Sequence, residues 1–331
     1  MLEPTKLVHN RVREYGRFGA RPTTVNPLAE FSGLGRVLRR HRLKEWVGFT
    51  LIHPELYSSV IVQDAKYLGS SEFYAYDCSS GALIEHDRTA PPGAVTLPAE
   101  LCGSTTQFDR AGYRVRYDFA PRTHRIEIDI ADTVAKPAIR ARLEVAADHA
   151  SPVLSVSSRL PGGRLYTTKA VYPVGGSMRV GEREFQFHPD RDLVILDEHK
   201  SFLPYRTRWT WGTFATFQGT SPVGANFADR PEIPGQPEES GIWTPTATEP
   251  LDDITFDRTG TEGTPWHIHS RDGRLNVTFT PEGRKSVAHQ LGIFAIDYFQ
   301  EYGTYRGTLD IGKRIDIAGV HGVCEQMKAR L

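Results

Sequence analysis

Several things are scarce in this sequence, and each scarcity excludes something. The 331 residues hold three cysteines, Cys78, Cys102 and Cys324, too few and too widely spaced for a disulfide framework or a zinc-type pairing. No run of roughly 18 apolar residues exists, so no transmembrane helix is expected. The opening MLEPTKLVHNRVREYG lacks the apolar stretch of a secretory signal, which points to a cytoplasmic location. Charge of one sign is missing too. Forty Lys and Arg balance forty Asp and Glu, without the basic excess that neutralising phosphates requires, so nucleic-acid binding is not expected. Gly33-Leu34-Gly35 does not continue as a dinucleotide fingerprint, and no nucleotide cofactor is expected. No G-x-S-x-G elbow occurs, and no cysteine sits in a recognisable nucleophile context. Long segments of 3.6-residue periodicity are also absent, which disfavours βαβ folds.

What is present is alternation. Residues 124–130 place Ile126, Ile128 and Ile130 on one face and Arg125, Glu127 and Asp129 on the other, the pattern of a half-buried strand. Residues 46–51, 58–63, 72–76, 112–119, 140–145, 153–157, 163–170, 177–180 and 184–187 also read as strands. In the second half 206–217, 251–256, 266–269, 275–279, 302–309 and 314–317 follow. Turn signals recur at intervals near the roughly 8–12 residues of antiparallel sandwiches and barrels. Apolar residues make up 39% of the chain, enough for a sizeable core. Residues 35–46 read as a short basic helix, and 229–240 (DRPEIPGQPEES) as a surface loop. The expected fold is therefore all-β, in two β-rich domains, 1–190 and 191–331. Up to Glu45 ten basic residues face four acids, with a cluster at Arg36, Arg39, Arg40, Arg42 and Lys44. This is either an arm for an anionic partner or a solvated basic segment balanced elsewhere.

The densest chemistry lies between Asp197 and Asn226. Asp197-Glu198-His199 follows the apolar stretch 193–196, and three titratable groups at the end of a buried strand would supply a general acid or base; the alternative is an ordinary acidic loop. In the following strand Tyr205, Thr207, Trp209 and Trp211 share a face, with Arg206 and Arg208 opposite. Facing a cavity, the Tyr and Trp side chains would stack on a ring or polyene, or steady a developing cation; facing a closed core they are packing. His267 and His269 show the H-x-H spacing of metal ligands, but no third ligand is evident, and no metal is expected. Beside them Trp266 would pack inward. Gln300 and Tyr302 share the face of a second aromatic strip, where Gln300 would orient a bound water or satisfy a buried backbone group. His321 and Glu325 would form an acid/base pair or a barrel-closing ion pair.

The order of LDEHKSFLPYRTRWTWG, VGANFAD, SGIWTP, LDDITFD, TPWHIHSRDGRLNVTFTPEGR, YFQEYGTYRGTL and AGVHGVCE resembles the bacterial domain of unknown function 2804 family. The resemblance covers residues 190–325 well and the N-terminal half loosely, and the C-terminus departs from it after Glu325. Asn226 and Trp243 lie within these motifs and join the candidate ligand contacts. A remoter likeness is to the carotenoid 1,2-hydratase and AttH-like proteins, through Asp197, Glu198, His199, Trp209, Trp211, Gly319 and Glu325. It implies two lipocalin-like (calycin-type) barrels or half-barrels with a few short helices. It also implies cofactor-free proton chemistry on an apolar terpenoid- or polyketide-like small molecule: hydration or dehydration, isomerisation or cyclisation. Asp197, Glu198 and His199 would be catalytic, and Tyr205, Arg206, Trp209, Trp211, Asn226, Trp243, Trp266, Gln300 and Tyr302 would bind the ligand. Two alternatives stand beside it. A non-catalytic carrier of a hydrophobic ligand would need only an apolar cavity. A carbohydrate-active protein would use the tryptophans for stacking and need an open cleft with two carboxylates.

Overall fold

The computed structural model describes residues 3–260, 262–292 and 294–330. It is nearly all-β, with one nearly closed barrel, one half-barrel and one α-helix, Gly33–Arg40. Every pair of sheet strands is antiparallel, so the alternation seen in the sequence is a true inside-outside alternation. Ile126, Ile128 and Ile130 enter the core of the first sheet, while Arg125 and Asp129 stay in water.

The first sheet has 13 strands. Its centre is Leu43–His53, Leu193–Phe202 and Gly163–Val180, hydrogen-bonded in that order. The second has nine, centred on Arg206–Gln218, Arg314–Arg330 and Phe294–Asp310. The chain leaves the first sheet after Phe202 and enters the second at Arg206, later than the break expected near residue 190. The reason is in the strand Leu193–Phe202. Val194 and Leu196 pack into the first core, whereas Leu193 and Ile195 pack outward against Ala215 and Trp243 of the second sheet. A strand covered on both faces reads as one continuous apolar run, and nothing in its composition says which sheet owns it. The basic helix is likewise earlier than expected. Residues from Leu43 onward are strand, and Lys44 is buried there with its ammonium bonded to the His41 carbonyl oxygen at 2.8 Å.

The two sheets meet face to face. Tyr57, Tyr74 and Tyr76 of the first pack with Trp211, Tyr302 and Val323 of the second. Tyr76 and Tyr302 have ring centroids 4.5 Å apart. This seam leaves a hollow at one end.

Candidate functional site

Three neighbouring strands of the first sheet build one wall. Asp197 lies opposite Lys169 on one side and Gly48 on the other; His199 lies opposite Thr167 and Trp46. Residues 197 and 199 share the outward face of their strand, continuing the row of Leu193 and Ile195. Gly48 carries no side chain at that level, and a Cβ there would sit 3.0 Å from Ile61 Cγ1. The Trp46 indole crosses above it, stacks on the His199 ring at 4.3 Å and donates from Nε1 to Asp197 Oδ2 at 3.2 Å. Lys169 Nζ donates to Asp197 Oδ1 at 2.6 Å.

The opposite wall comes from the second sheet. Trp211 is directly opposite Glu325, and Gln300 flanks Glu325 on its other side. Trp209 Nε1 donates to Glu325 Oε1 at 2.8 Å, while Tyr298 Oη and Gln300 Nε2 donate to Oε2 at 2.9 and 2.8 Å. Gln300 in turn accepts from Tyr74 of the first sheet. The third side is the 229–240 loop, where Arg230 binds Glu238 and Glu239.

These elements enclose about 170 Å³, lined among others by Trp46, Lys169, Asp197, His199, Trp209 and Trp211. Glu239, Arg230 and Glu325 also face it, with Leu160, Leu203 and Pro204 completing the lining and the exposed Pro161, Arg206, Arg208 and Pro231 at its mouth. That is several times the space one water needs. The hollow lies between the sheets, not inside a barrel; the interior of the first sheet is filled by its own apolar core.

The electrostatics of this pocket are uneven. Burial pushes the Glu325 carboxyl above the ordinary glutamate range, the charge of Asp197 adds to the push, and three hydrogen-bond donors oppose it without cancelling it. Those donors occupy three of the four lone-pair directions of the carboxyl group, so the remaining direction on Oε1 is the one open to a proton. Burial drives His199 well below the ordinary histidine range, and the Lys169 ammonium drives it further, so the imidazole is neutral. Burial would raise Glu239, but Arg230 and Lys169 outweigh it and keep that carboxylate ionised. Its Oε2 makes no hydrogen bond, although Lys169 Nζ is 3.7 Å and His199 Nε2 3.8 Å away. A buried acceptor without a donor is a place where a ligand hydroxyl fits.

The expected site residues divide into those at the hollow and those elsewhere. Asp197, His199, Arg206, Trp209 and Trp211 line it. Glu198 does not, because it is one residue out of phase. It points into the first sheet, fully buried and held by Arg21 at 2.6 and 2.8 Å. Tyr205 precedes its strand and is 39% exposed, outside the lining. Asn226 stands behind the wall, accepting from Trp211 Nε1 at 2.8 Å and donating to the Glu239 carbonyl oxygen at 2.9 Å. Gln300 stands behind Glu325, and Tyr302 lies in the tyrosine seam. Trp243 packs between the sheets; Trp266 lies in the second core, donating to the buried Glu301 at 2.7 Å. His321 and Glu325 do not pair: four residues apart on one strand, they sit opposite Thr304 and Gln300 respectively.

His267 and His269 lie on the outer surface, where His267 contacts Thr278 and His269 stands 3.9 Å from Asp257. Among the described residues, the ligand-type atoms that do converge are those of Cys78, Glu282 and His321, within 4.8 Å of one another at the far end of the seam. Trp46, Lys169, Arg230 and Glu239 were not among the expected site residues. They lie on strands and a loop distant in sequence, and only the sheet register brings them together.

The fold is similar to that of kievitone hydratase from Nectria haematococca. The two align with a TM-score of 0.50 at 7% sequence identity, over 87% of this chain and 88% of that one. No curated protein sequence matches the chain. Residues 23–331 match the family model described as Domain of unknown function (DUF2804), and the chain belongs to that family.

Proposed function

We propose that this chain is a cofactor-independent enzyme of the hydratase or isomerase kind, acting by proton transfer on an apolar or partly apolar small molecule. The observation that carries this reading is the facing of two unlike acids across one hollow. Glu325 is a buried carboxyl with a raised affinity for its proton; Asp197 is a carboxylate bound to an ammonium. A buried carboxyl that holds its proton more tightly than usual, facing an ion-paired carboxylate, divides the roles of acid and base. In a hydration, the Glu325 O–H gives its proton to one alkene carbon as the π pair forms the new C–H bond. A water oxygen then bonds to the other carbon, and Asp197 takes the water's spare proton. One water is added across one double bond, and a proton passed from Asp197 back to Glu325 restores the site. Run backwards, the same steps dehydrate; without the water they isomerise. The hydratase name of the structural neighbour supports this reading by analogy of fold alone.

The lining disfavours the alternatives. A carrier needs no acid or base in its cavity, whereas this one sets Asp197, His199, Glu239 and Glu325 beside its apolar side chains. Sugar stacking calls for free indole faces. The Lys169 ammonium already lies 4.8 Å over the Trp211 ring, and the Trp209 indole N–H is committed to Glu325.

The test is a panel of alkene- and enone-bearing terpenoids and polyketide-like compounds, incubated in ¹⁸O-water and followed by mass spectrometry. A substrate gains one labelled oxygen with the native chain. Glu325→Gln and Asp197→Asn each slow this by about 10²–10⁴-fold, the range of general acid-base catalysis, while retaining the circular dichroism of the native fold. A compound that binds and is never altered speaks for a carrier.

A further inference from the structure

The exposed lining residues Pro161, Arg206 and Arg208 put the mouth of the hollow at one end of both sheets, and the register shows what else is there. Phe202 pairs with Leu43, Glu45 with Asp64 and Asp64 with Gly69, and Phe31, under Arg39 of the helix Gly33–Arg40, packs on Phe202, so the helix and the turn at 65–68 lie at the same end. In the second sheet Arg206 and Ala295 both pair with Arg330, which brings Phe294 to the same end. Side-chain contacts agree. Lys44 Nζ lies 4.7 Å over the Tyr67 ring, Tyr67 is 5.7 Å from Phe294, and Arg42 donates to the carbonyl oxygen of the lining residue Leu203 at 2.7 Å.

This end is unusually apolar for a surface. Of the nine exposed large apolar side chains among the described residues, all but Val12 and Val134 are here. The helix contributes Leu34, Val37 and Leu38, which are 83%, 59% and 72% exposed and, at i, i+3 and i+4, share one face. No residue of this helix is buried, so its apolar stripe packs on nothing in the chain. Tyr67, Leu68, Tyr205 and Phe294 complete the set, on turn tips and strand starts rather than along a groove. Cations accompany them: Arg36, Arg39 and Arg40 on the helix, with exposed Arg206, Arg208 and Lys328 at the strand ends. The exposed acid Asp297 stands opposite Lys328 among them, and in a chain of zero net charge this end remains basic.

We infer that this end docks onto an anionic lipid surface, with the mouth of the hollow against the membrane. A basic amphipathic helix with an uncovered apolar face is the element that lies in a headgroup layer. The companion groups on turn tips from both sheets suit a plane better than they suit a partner helix or strand. The docking stands independently of the proposed reaction; only the passage of a membrane-borne ligand into the hollow rests on that reading.

Vesicle flotation tests it with the native chain and no substrate. Binding to phosphatidylcholine vesicles containing phosphatidylglycerol exceeds binding to pure phosphatidylcholine by roughly tenfold or more, and weakens as salt is raised. Leu34→Asp with Leu38→Asp abolishes it, and Arg36→Glu with Arg39→Glu removes the preference for anionic lipid. Both pairs are solvent-exposed, and circular dichroism checks that the fold is kept. Absence of vesicle binding, or binding that neither pair changes, overturns the inference. So does a dimer in light scattering that Leu34→Asp with Leu38→Asp dissolves while lipid binding is nil, since the stripe would then belong to a second copy.

Discussion

At the scale of the residue, position within a strand decides role. Asp197, Glu198 and His199 are adjacent in sequence, yet the period of two sends the outer two to the hollow and the middle one into the core. Glu198 is fully buried against Arg21, whose cation that carboxylate stabilises more than burial disfavours it. Arg21→Met therefore leaves an uncompensated buried charge and costs about 3–5 kcal/mol of stability, whereas Arg21→Met with Glu198→Leu recovers most of it; urea midpoints measure both. His199 gives a pH signature. Its proton affinity is lowered in the fold, so its contribution to stability is present above the ordinary histidine value of 6.5 and is lost as pH falls below it. Removing one titrating proton changes the slope by at most about 1.4 kcal/mol per pH unit. His199→Phe keeps a ring against Trp46, and its melting temperature should fall less steeply than the native one between pH 6.5 and pH 5.

At the scale of the element, the strand Leu193–Phe202 carries most of the argument. It serves the first core, the seam and the hollow at once, so its substitutions separate by face. Ile195→Ala opens the packing between the sheets and costs about 2–4 kcal/mol; Asp197→Asn leaves stability closer to native and removes the proposed base, and thermal melts paired with turnover distinguish the two. The same doubling of duty limits what the sequence shows. The alternation of residues 124–130 is plain because one face is wet. The W-x-W strand and the apolar-then-acidic strand are visible as dense segments for the same periodic reason. Their partners are not. Lys169 is one lysine in a strand buried on both sides, and Glu239 one acid in a loop that reads as surface. Both become pocket residues only through pairings tens of residues long. Glu325 could be singled out as an acid on a strand face. Its proton affinity depends on Trp209, Tyr298 and Gln300, which no local pattern connects to it.

At the scale of the whole molecule, the hollow exists because two curved sheets press their outer faces together. The tyrosine seam sets their spacing: Tyr302 is flanked by Tyr57, Tyr74 and Tyr76, with ring centroids 6.1, 5.6 and 4.5 Å away. Tyr302→Ala is expected to cost about 3–5 kcal/mol and to weaken ligand binding, although the residue does not line the hollow. Calorimetry and tryptophan-quench titration read the two effects separately. A pocket shared between sheets also explains why each wall contributes one of the two carboxyl groups of the proposed acid–base pair. The raised proton affinity of Glu325 arises from that enclosure, so its titration is the most direct measurement of all. Carboxyl ¹³C NMR of the glutamate-labelled chain, with Glu325→Gln assigning the signal, should place the midpoint above the ordinary glutamate value and lower it in Asp197→Asn. A midpoint at or below the ordinary value, unmoved by Asp197→Asn, would mean that Glu325 holds no proton to give.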